Sequence, residues 1–258
     1  MYPPESRPKR LLIFFYDLGV GGIQRRLVDI IEYLQSDAQG KRVKVTLYIK
    51  SYSGNRHNQG YIERIEKSGA RIIYRPRWTA GPLRVGTASH ILWTILKVHP
   101  DVILTYLRLL SVGLVMYKQI LWWKRIKVVL NEGILTSELL KDEIPRRKQG
   151  FWKRAMQLTY PRADRIIVPT TAIQKDLIDN FEVPAQNIVI MPHWTLLIDS
   201  NRSEVKRTNT RYNLIYVGRL EPQKKVSLLL DVIKALASRF PTMKACIVGT
   251  GSLEHQLH

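Results

Sequence analysis

Two hydrophobic patterns alternate along most of the chain. Short, nearly continuous apolar runs are typical of strands buried on both faces, and they cover residues 11–16, 43–49, 71–74, 101–105, 127–130, 165–168 and 187–190. Between them apolar residues recur every three or four positions, which predicts helices over residues 23–34, 61–68, 90–98, 109–124 and 171–180. This alternation predicts an α/β fold, an open parallel sheet with helices on both faces.

The pattern is interrupted once, by a polar stretch at residues 199–213, and then resumes. Strands predicted at 214–218 and 244–248 flank a predicted helix at 227–238. We therefore divide the chain into a domain of residues 1–198, a linker of residues 199–213, and the start of a second domain at residues 214–258. Because two parallel strands leave both sheet faces uncovered, we expect this second domain to be incomplete and the chain to be truncated.

Composition adds a strong positive charge to this picture. The 258 residues include 41 Lys and Arg against 21 Asp and Glu, a formal net charge of +20, and 45% of them are hydrophobic. Such a surplus implies an anionic partner, which could be nucleic acid, lipid headgroups or a phosphate-bearing substrate, or it is only solvated surface. Nucleic acid is the weakest of these interpretations, because no helix-turn-helix, zinc or RNA-binding motif accompanies the charge.

The sequence predicts a cytoplasmic location. The single cysteine, Cys246, excludes an intrachain disulfide and lies in an apolar run typical of a core position. The first ten residues lack the apolar segment of a signal peptide. The longest apolar stretch, residues 109–123, is interrupted by Lys118 and Gln119 and is too short to span a bilayer.

A pair of glycines lies between the first predicted strand and the first predicted helix. Gly21 and Gly22 put backbone amides and the positive end of a helix dipole where an anion could bind. The dinucleotide-binding fingerprint would need a third glycine at position 24, which is Gln24. A nicotinamide dehydrogenase is therefore disfavoured, and the two interpretations left are a phosphate site and a tight turn that packs the helix on the sheet.

A second candidate phosphate site follows the first strand of the second domain. Arg219 and Lys224 lie five residues apart on the loop after that strand. A guanidinium and an ammonium in this position could hold the two phosphates of a nucleotide and stabilise the charge that builds on a departing diphosphate. Taken alone, an arginine and a lysine in a loop are more often surface residues.

Five segments together resemble the family 4 retaining glycosyltransferases of the GT-B fold, in the same order and at similar spacing. They are residues 21–25, 163–170, 188–193, 217–224 and 247–251, which read GGIQR, ADRIIVPT, IVIMPH, VGRLEPQK and IVGTG. The resemblance implies two Rossmann-like domains, a nucleoside-diphosphate sugar as donor, and a glycan or lipid-linked glycan as acceptor. It implies that Arg219 and Lys224 bind the donor diphosphate and that Gly21 and Gly22 form the facing loop. No cofactor and no metal are implied, and His90, His99 and His193 show no metal-ligand spacing.

The sequence departs from the family pattern in places that bear on activity. Many members carry a histidine that contacts the donor sugar after the fifth strand, where this chain has Asn131-Glu132-Gly133. Glu132 is our candidate catalytic residue, with Asn131 as an alternative and a helix-terminal acid as the plainer interpretation. The family's glutamate motif that binds sugar and ribose would lie beyond His258, so we expect no transferase activity from these 258 residues alone. A nucleotide-sugar epimerase of the same architecture is the alternative enzyme.

Aromatic and basic residues interleave in two further segments. Residues 122–125 read WWKR, and residues 146–154 contain three consecutive cations followed by FWKR. Tryptophan beside lysine and arginine is typical of contact with anionic headgroups, so a peripheral contact with an anionic membrane is one hypothesis. The other is that the tryptophans are core residues and the cations are solvated.

Overall fold

The computed structural model describes residues 7–19, 21–36, 42–51, 56–76, 85–106, 108–193, 214–221 and 224–257. The chain divides into two compact units, Met1–Leu196 and Leu197–His258. The predicted linker at residues 199–213 lies outside the described residues.

The first unit is a parallel sheet wrapped by helices. Its strands are β1 (Lys9–Phe15), β2 (Val43–Ile49), β3 (Arg71–Tyr74), β4 (Val102–Thr105), β5 (Lys127–Asn131), β6 (Arg165–Val168) and β7 (Ile188–Ile190). Its helices are α1 (Gly22–Gln35), α2 (Arg56–Lys67), α3 (Val85–Val98), α4 (Arg108–Ile120), α5 (Thr136–Glu143), α6 (Arg146–Thr159) and α7 (Thr171–Phe181).

The strand order is β3-β2-β1-β4-β5-β6-β7, and every neighbouring pair is parallel. The α/β fold class and the parallel sheet expected from the alternating pattern are thereby confirmed. After β1 the chain builds outward to β3, and it then returns to the other side of β1 with β4. This reversal between β1 and β4 leaves a crevice at the carboxyl ends of the two strands, which is where open α/β sheets bind ligands.

Strand β1 lies in the middle of the core and is buried on both faces. Leu12 and Phe14 pack in one hydrophobic cluster with α3, α4, α6 and α7, whereas Ile13 packs in another with α1 and α2. All three side chains are 0% exposed. An uninterrupted apolar run is what this position requires, since successive side chains point to opposite faces.

The helices differ from the predicted ones between β4 and β6. The predicted helix at 109–124 ends at Ile120, and Trp122–Lys124 form a 3-10 turn that Arg125 closes in the left-handed conformation, with φ of 51°. Helices α5 and α6 were not predicted at all. Helix α6 reads RRKQGFWKRAMQLT. Trp152, Ala155 and Met156 form its inward stripe, but Phe151 and Leu158 are exposed, so the apolar pattern carried little helical signal.

The second unit comprises β8 (Leu214–Val217), α8 (Val226–Ala237), β9 (Ala245–Val248) and α9 (Glu254–Leu257), with β8 and β9 parallel. The loops after the two strands pack closely on each other. A side chain at Gly249 would collide with the Gly218 carbonyl oxygen, and one at Gly251 with the Leu220 carbonyl oxygen. Cys246, expected in the core, is only half-buried, because two strands and one long helix do not cover the sheet.

Candidate functional site

A hollow lies at the carboxyl ends of β1, β4 and β5, at the reversal of strand order. Its main part has a volume of about 290 Å³, and a narrower extension of about 50 Å³ continues toward β6 and β7. We call the two together the upper hollow. The main part is lined by Phe15, Tyr16, Asp17, Gly19, Ile23, Gln24, Tyr106, Asn131, Gly133 and Ile134. The extension adds Arg26, Ile30, Ile167, Pro169, Met191, Pro192 and His193.

Polar groups converge in this largely apolar hollow. Tyr106 follows β4 directly, and its ring meets that of Phe15 edge-on, with the ring centroids 5.3 Å apart. Arg26 lies one turn into α1 and donates a hydrogen bond from Nε to the Gly22 carbonyl oxygen at 3.0 Å. His193 follows β7. A cation, a phenol and an imidazole on an apolar wall are suited to binding a polyhydroxylated ligand.

The pKa values of two groups in the upper hollow are shifted. Burial raises the pKa of Tyr106 to about 12, and the positive charge of Arg26 acts against this rise. Burial lowers the pKa of His193, and repulsion from Arg26 lowers it further. At neutral pH the phenol therefore keeps its proton and can donate it in a hydrogen bond, whereas the imidazole is neutral and can accept one.

The glycine pair lies at the rim of the upper hollow. Gly21 is the residue before α1 and has an extended backbone, with no side chain capping the helix. Its neighbours Gly19 and Ile23 line the hollow, whereas Gly21 and Gly22 do not. The first amides of α1 are thus available at the rim. A side chain at Gly22 would meet nothing within 4 Å, so packing of the helix on the sheet does not require glycine there.

Glu132 lies beneath the upper hollow and does not line it. Its side chain is 1% exposed, and the Tyr160 hydroxyl donates a hydrogen bond to its Oε1 at 2.8 Å. The residues on either side, Asn131 and Gly133, do line the hollow. The catalytic role of Glu132 stays a prediction, and its burial favours a positioning role for the loop that carries Asn131.

In the second unit, Glu221 lies between Arg219 and Lys224 in the sequence and is hydrogen-bonded to Ser252. The side chains of Arg219 and Lys224 are exposed. Glu221, between them, accepts hydrogen bonds from the Ser252 amide at 3.2 Å and from the Ser252 hydroxyl at 2.8 Å. These bonds lower the pKa of Glu221, with a smaller contribution from the charge of Arg219. These bonds tie the segment just after Arg219, at the carboxyl end of β8, to the loop after β9.

Within the described part of the chain, no group of three or more His, Cys, Asp or Glu side chains is arranged to hold a metal ion. Among the same residues, no helix is both long and apolar enough to cross a bilayer.

An open parallel sheet with a hollow at its strand reversal, and a second unit of parallel strands and helices in the same chain, are features of the GT-B fold. The chain belongs to Glycosyltransferase Family 4, whose family model matches residues 20–195. The model of the Glycosyl transferases group 1 family matches residues 198–258. The predicted family is thus confirmed, and the enzyme class is glycosyltransferase. No curated protein sequence matches the chain.

Solved structures share this fold at low sequence identity. HepE from Anabaena, solved in complex with UDP and glucose, is 17% identical with a TM-score of 0.63, over 96% of this chain and 63% of its own. The apo form of the lipopolysaccharide outer core galactosyltransferase WaaB is 11% identical with a TM-score of 0.60, over 96% of this chain and 70% of its own. The UDP-GlcNAc 2-epimerase of Neisseria meningitidis, bound to UDP-GlcNAc, is 10% identical with a TM-score of 0.54, over 92% of this chain and 64% of its own. Because an epimerase shares the fold, it is the family match that favours a transferase.

Arg26 and Tyr106 were not among the predicted site residues. Tyr106 directly follows a predicted strand. Because the carboxyl ends of parallel strands lie at one edge of the sheet, this position could have indicated a site residue. Arg26 lies on the first helical turns beside polar neighbours, and nothing in its spacing distinguishes it from a solvated residue.

Proposed function

We propose that the protein transfers a hexose from a nucleoside-diphosphate sugar to a glycan or lipid-linked glycan, with retention of anomeric configuration. The observation that carries the proposal is the upper hollow, in a chain whose two units both match glycosyltransferase families. Its apolar wall and converging polar groups suit a sugar ring, which presents both apolar faces and hydroxyls. In this proposal the acceptor binds there, with Tyr106 donating to it and Asn131 and Arg26 orienting its hydroxyls.

The donor diphosphate is bound by Arg219 and Lys224 in the same proposal. Negative charge grows on the diphosphate as its bond to the sugar breaks, and in this proposal the two cations stabilise that charge. Gly21 and Gly22 contribute amides and a helix dipole. No divalent metal is needed for this arrangement, so we expect binding of UDP to persist in the presence of a chelator.

A nucleotide titration tests the diphosphate site. We expect Arg219→Ala and Lys224→Ala each to weaken binding of UDP by about tenfold or more, because a lost charge-assisted hydrogen bond is worth about 1.5–3 kcal/mol. Isothermal titration calorimetry of the 258-residue chain gives the dissociation constants. Lys234→Ala, which removes an exposed cation from α8, is the matched control and should leave the affinity unchanged. Equal affinity in all three variants would refute the phosphate assignment.

We further propose that α6 brings the protein to an anionic membrane, where a lipid-linked acceptor would be found. Five of its 14 residues are Arg or Lys and none is acidic. On the same helix Phe151 is 69% exposed and Leu158 is 63% exposed. Cations interleaved with exposed apolar side chains are characteristic of helices that lie at a lipid interface. Cosedimentation with anionic vesicles at low and at high salt tests the contact, and an absence of binding at low salt contradicts it.

A further inference from the structure

A second hollow lies at the opposite edge of the first unit, at the amino ends of the strands. We call it the basal hollow. Its volume is about 90 Å³. Its lining comes from the residues before and in β1, the end of α3 with the turn that follows, and the turn before β5, namely Arg7, Arg10, Ile95, Leu96, His99, Pro100, Asp101, Lys124 and Ile126. None of these residues belongs to the upper hollow.

Positive charge exceeds negative charge in the basal hollow. Three cationic side chains face a single carboxylate, Asp101. Both oxygens of that carboxylate are already engaged, since Oδ1 accepts from Arg7 Nη2 at 2.8 Å and Oδ2 accepts from the backbone amide of Arg10 at 2.8 Å. The charges of Arg10 and Lys124 are therefore only partly balanced.

The side chain of Arg10, which lines the basal hollow, is incompletely paired. Its Nε is buried and has no hydrogen-bond partner within the described residues, and it lies 3.9 Å from Asp101 Oδ2, beyond hydrogen-bonding distance. The Arg10 side chain as a whole is 34% exposed. An anion in the basal hollow would balance the surplus charge.

Exposed apolar residues adjoin the lining of the basal hollow along the chain, and we call them its apolar rim. Trp122 and Trp123 directly precede Lys124 and are 76% and 56% exposed, and Ile120 just before them is 60% exposed. On the other side Leu96 is 40% exposed. A small phosphate compound in water would gain nothing from such a rim, whereas a headgroup phosphate beneath an acyl chain would meet both the cations and the apolar side chains.

We propose that the basal hollow binds the headgroup phosphate of an anionic phospholipid, with Arg10 and Lys124 contacting the phosphate and Ile120 and Trp122 inserting beside the acyl chains. The inference deepens the proposed membrane contact by adding a defined headgroup site, separate from the basic face of α6.

The test is vesicle cosedimentation of the 258-residue chain with phosphatidylglycerol in a phosphatidylcholine background. We expect Lys124→Glu to weaken partitioning by about thirtyfold, because each cation at an anionic surface is worth about 1 kcal/mol and reversal counts twice. Lys175→Glu makes the same charge change on an exposed position of α7, and it should weaken partitioning by less than about threefold. Trp122→Ser should also weaken it, with no change in net charge. Circular dichroism checks that each variant is folded.

Three results would overturn the inference. If Lys124→Glu and Lys175→Glu weaken partitioning equally, net charge alone drives binding and no site exists. If Trp122→Ser partitions normally, the apolar rim does not enter the membrane. If inorganic phosphate binds the chain in the absence of vesicles as tightly as phosphatidylglycerol does, the ligand is a free phosphate compound. Failure of the α6 contact is distinguishable, because neutralising Arg146, Arg147 and Lys148 would then leave partitioning unchanged while Lys124→Glu still lowers it.

Discussion

Single buried polar residues decide how the loops around the upper hollow are held. Glu132 and Tyr160 are the clearest pair, since the carboxylate and the phenol are 1% and 0% exposed and are joined at 2.8 Å. If their role is to position the β5–α5 loop, the pair contributes to stability. We expect a double-mutant cycle with Glu132→Met, which removes the acceptor oxygen, and Tyr160→Phe to give a coupling free energy of about 1–3 kcal/mol in urea unfolding.

A purely catalytic Glu132 would give a different result. Tyr160→Phe would then act on the free energy of unfolding independently of any change at Glu132. Additive effects in the cycle would therefore exclude the positioning role.

His90 makes the stability of the first unit depend on pH. Its Nδ1 lies 3.2 Å from the Tyr48 hydroxyl oxygen, and its ring stacks on Trp93. Burial lowers the pKa of His90 below its ordinary value. On acidification the imidazole of His90 is therefore protonated first in the unfolded chain. The contribution of neutral His90 to the stability of the fold is fully present above about pH 6.5, and it is lost as the pH falls through the lower pKa of the folded state.

We expect the melting temperature to fall less between about pH 7.5 and pH 5 in His90→Gln than in the unmodified chain, because the variant lacks the titrating group. His99→Asn is the control. His99 has a left-handed backbone, with φ of 49°, which asparagine tolerates. An identical fall in all three proteins would show that other groups control the acid sensitivity.

Among the elements, α1 and α2 are clamped together by one arginine. Arg64 on α2 donates to Asp29 Oδ1 at 2.7 Å and to both oxygens of Glu32, at 2.8 and 2.6 Å, on α1. The bonds to Glu32 contribute most to a raised pKa of Arg64. Since the arginine side chain is 40% exposed, solvent screens part of the attraction.

Replacing Arg64 by Met should destabilise the chain by about 1 kcal/mol, because Asp29 is left largely buried without its partner. Urea unfolding measures the change. The control is Lys141→Met, which breaks the exposed pair of Lys141 with Glu138 on α5 and should have no measurable effect. If both variants unfold alike, the clamp contributes nothing beyond an ordinary surface pair.

The strands could be predicted from the sequence far better than the helices on the α4–α6 side. Buried parallel strands need continuous apolar runs, and Leu12 to Phe14 show one. The end of α4 could not be predicted, because the apolar residues continue through Trp123 while the chain already forms a 3-10 turn. Arg125 ends that turn in the left-handed conformation, which the sequence does not signal. Helix α6 escaped prediction because its exposed face carries Phe151 and Leu158, which blur the helical period.

The candidate site was predictable only in part, because some of its residues are brought together by the pairing of strands and not by a local motif. Gly21, Gly22, Arg219 and Lys224 belong to short local motifs and could be found in the sequence. The upper hollow instead gathers single residues that follow different strands, such as Tyr106 after β4 and His193 after β7. Their proximity is a property of the sheet, and no spacing along the chain reports it.

At the scale of the whole molecule, the second unit leaves apolar surface open. Ile215 and Val217 on one face of β8 are 65% and 73% exposed, and Val248 at the end of β9 is 48% exposed. The strands form a two-stranded sheet, and exposed apolar strands of this kind pair with other chains. The solved relatives are longer, as this chain spans 63% of HepE and 70% of WaaB.

Val217→Lys should raise the concentration at which the 258-residue chain aggregates, since a lysine on an exposed strand opposes pairing. Light scattering over a concentration series measures it. Lys44→Val, on strand β2 of the first unit, where residue 44 pairs with Arg10 of β1, should not change the threshold. Unchanged aggregation of Val217→Lys would show that β8 is not the surface through which chains associate.

The place of β1 between β2 and β4 also bears on how the chain is made. Strand β1 can pair with β2 soon after β2 is synthesised, but its other edge pairs only with β4. The amide of Arg10 likewise bonds to Asp101, which is synthesised 91 residues later. At ribosomal rates of about 5–20 residues per second, that edge stays open for roughly 5–20 s during translation. A strand that is buried on both faces in the folded protein is thus the one whose second edge stays unpaired for longest in the nascent chain.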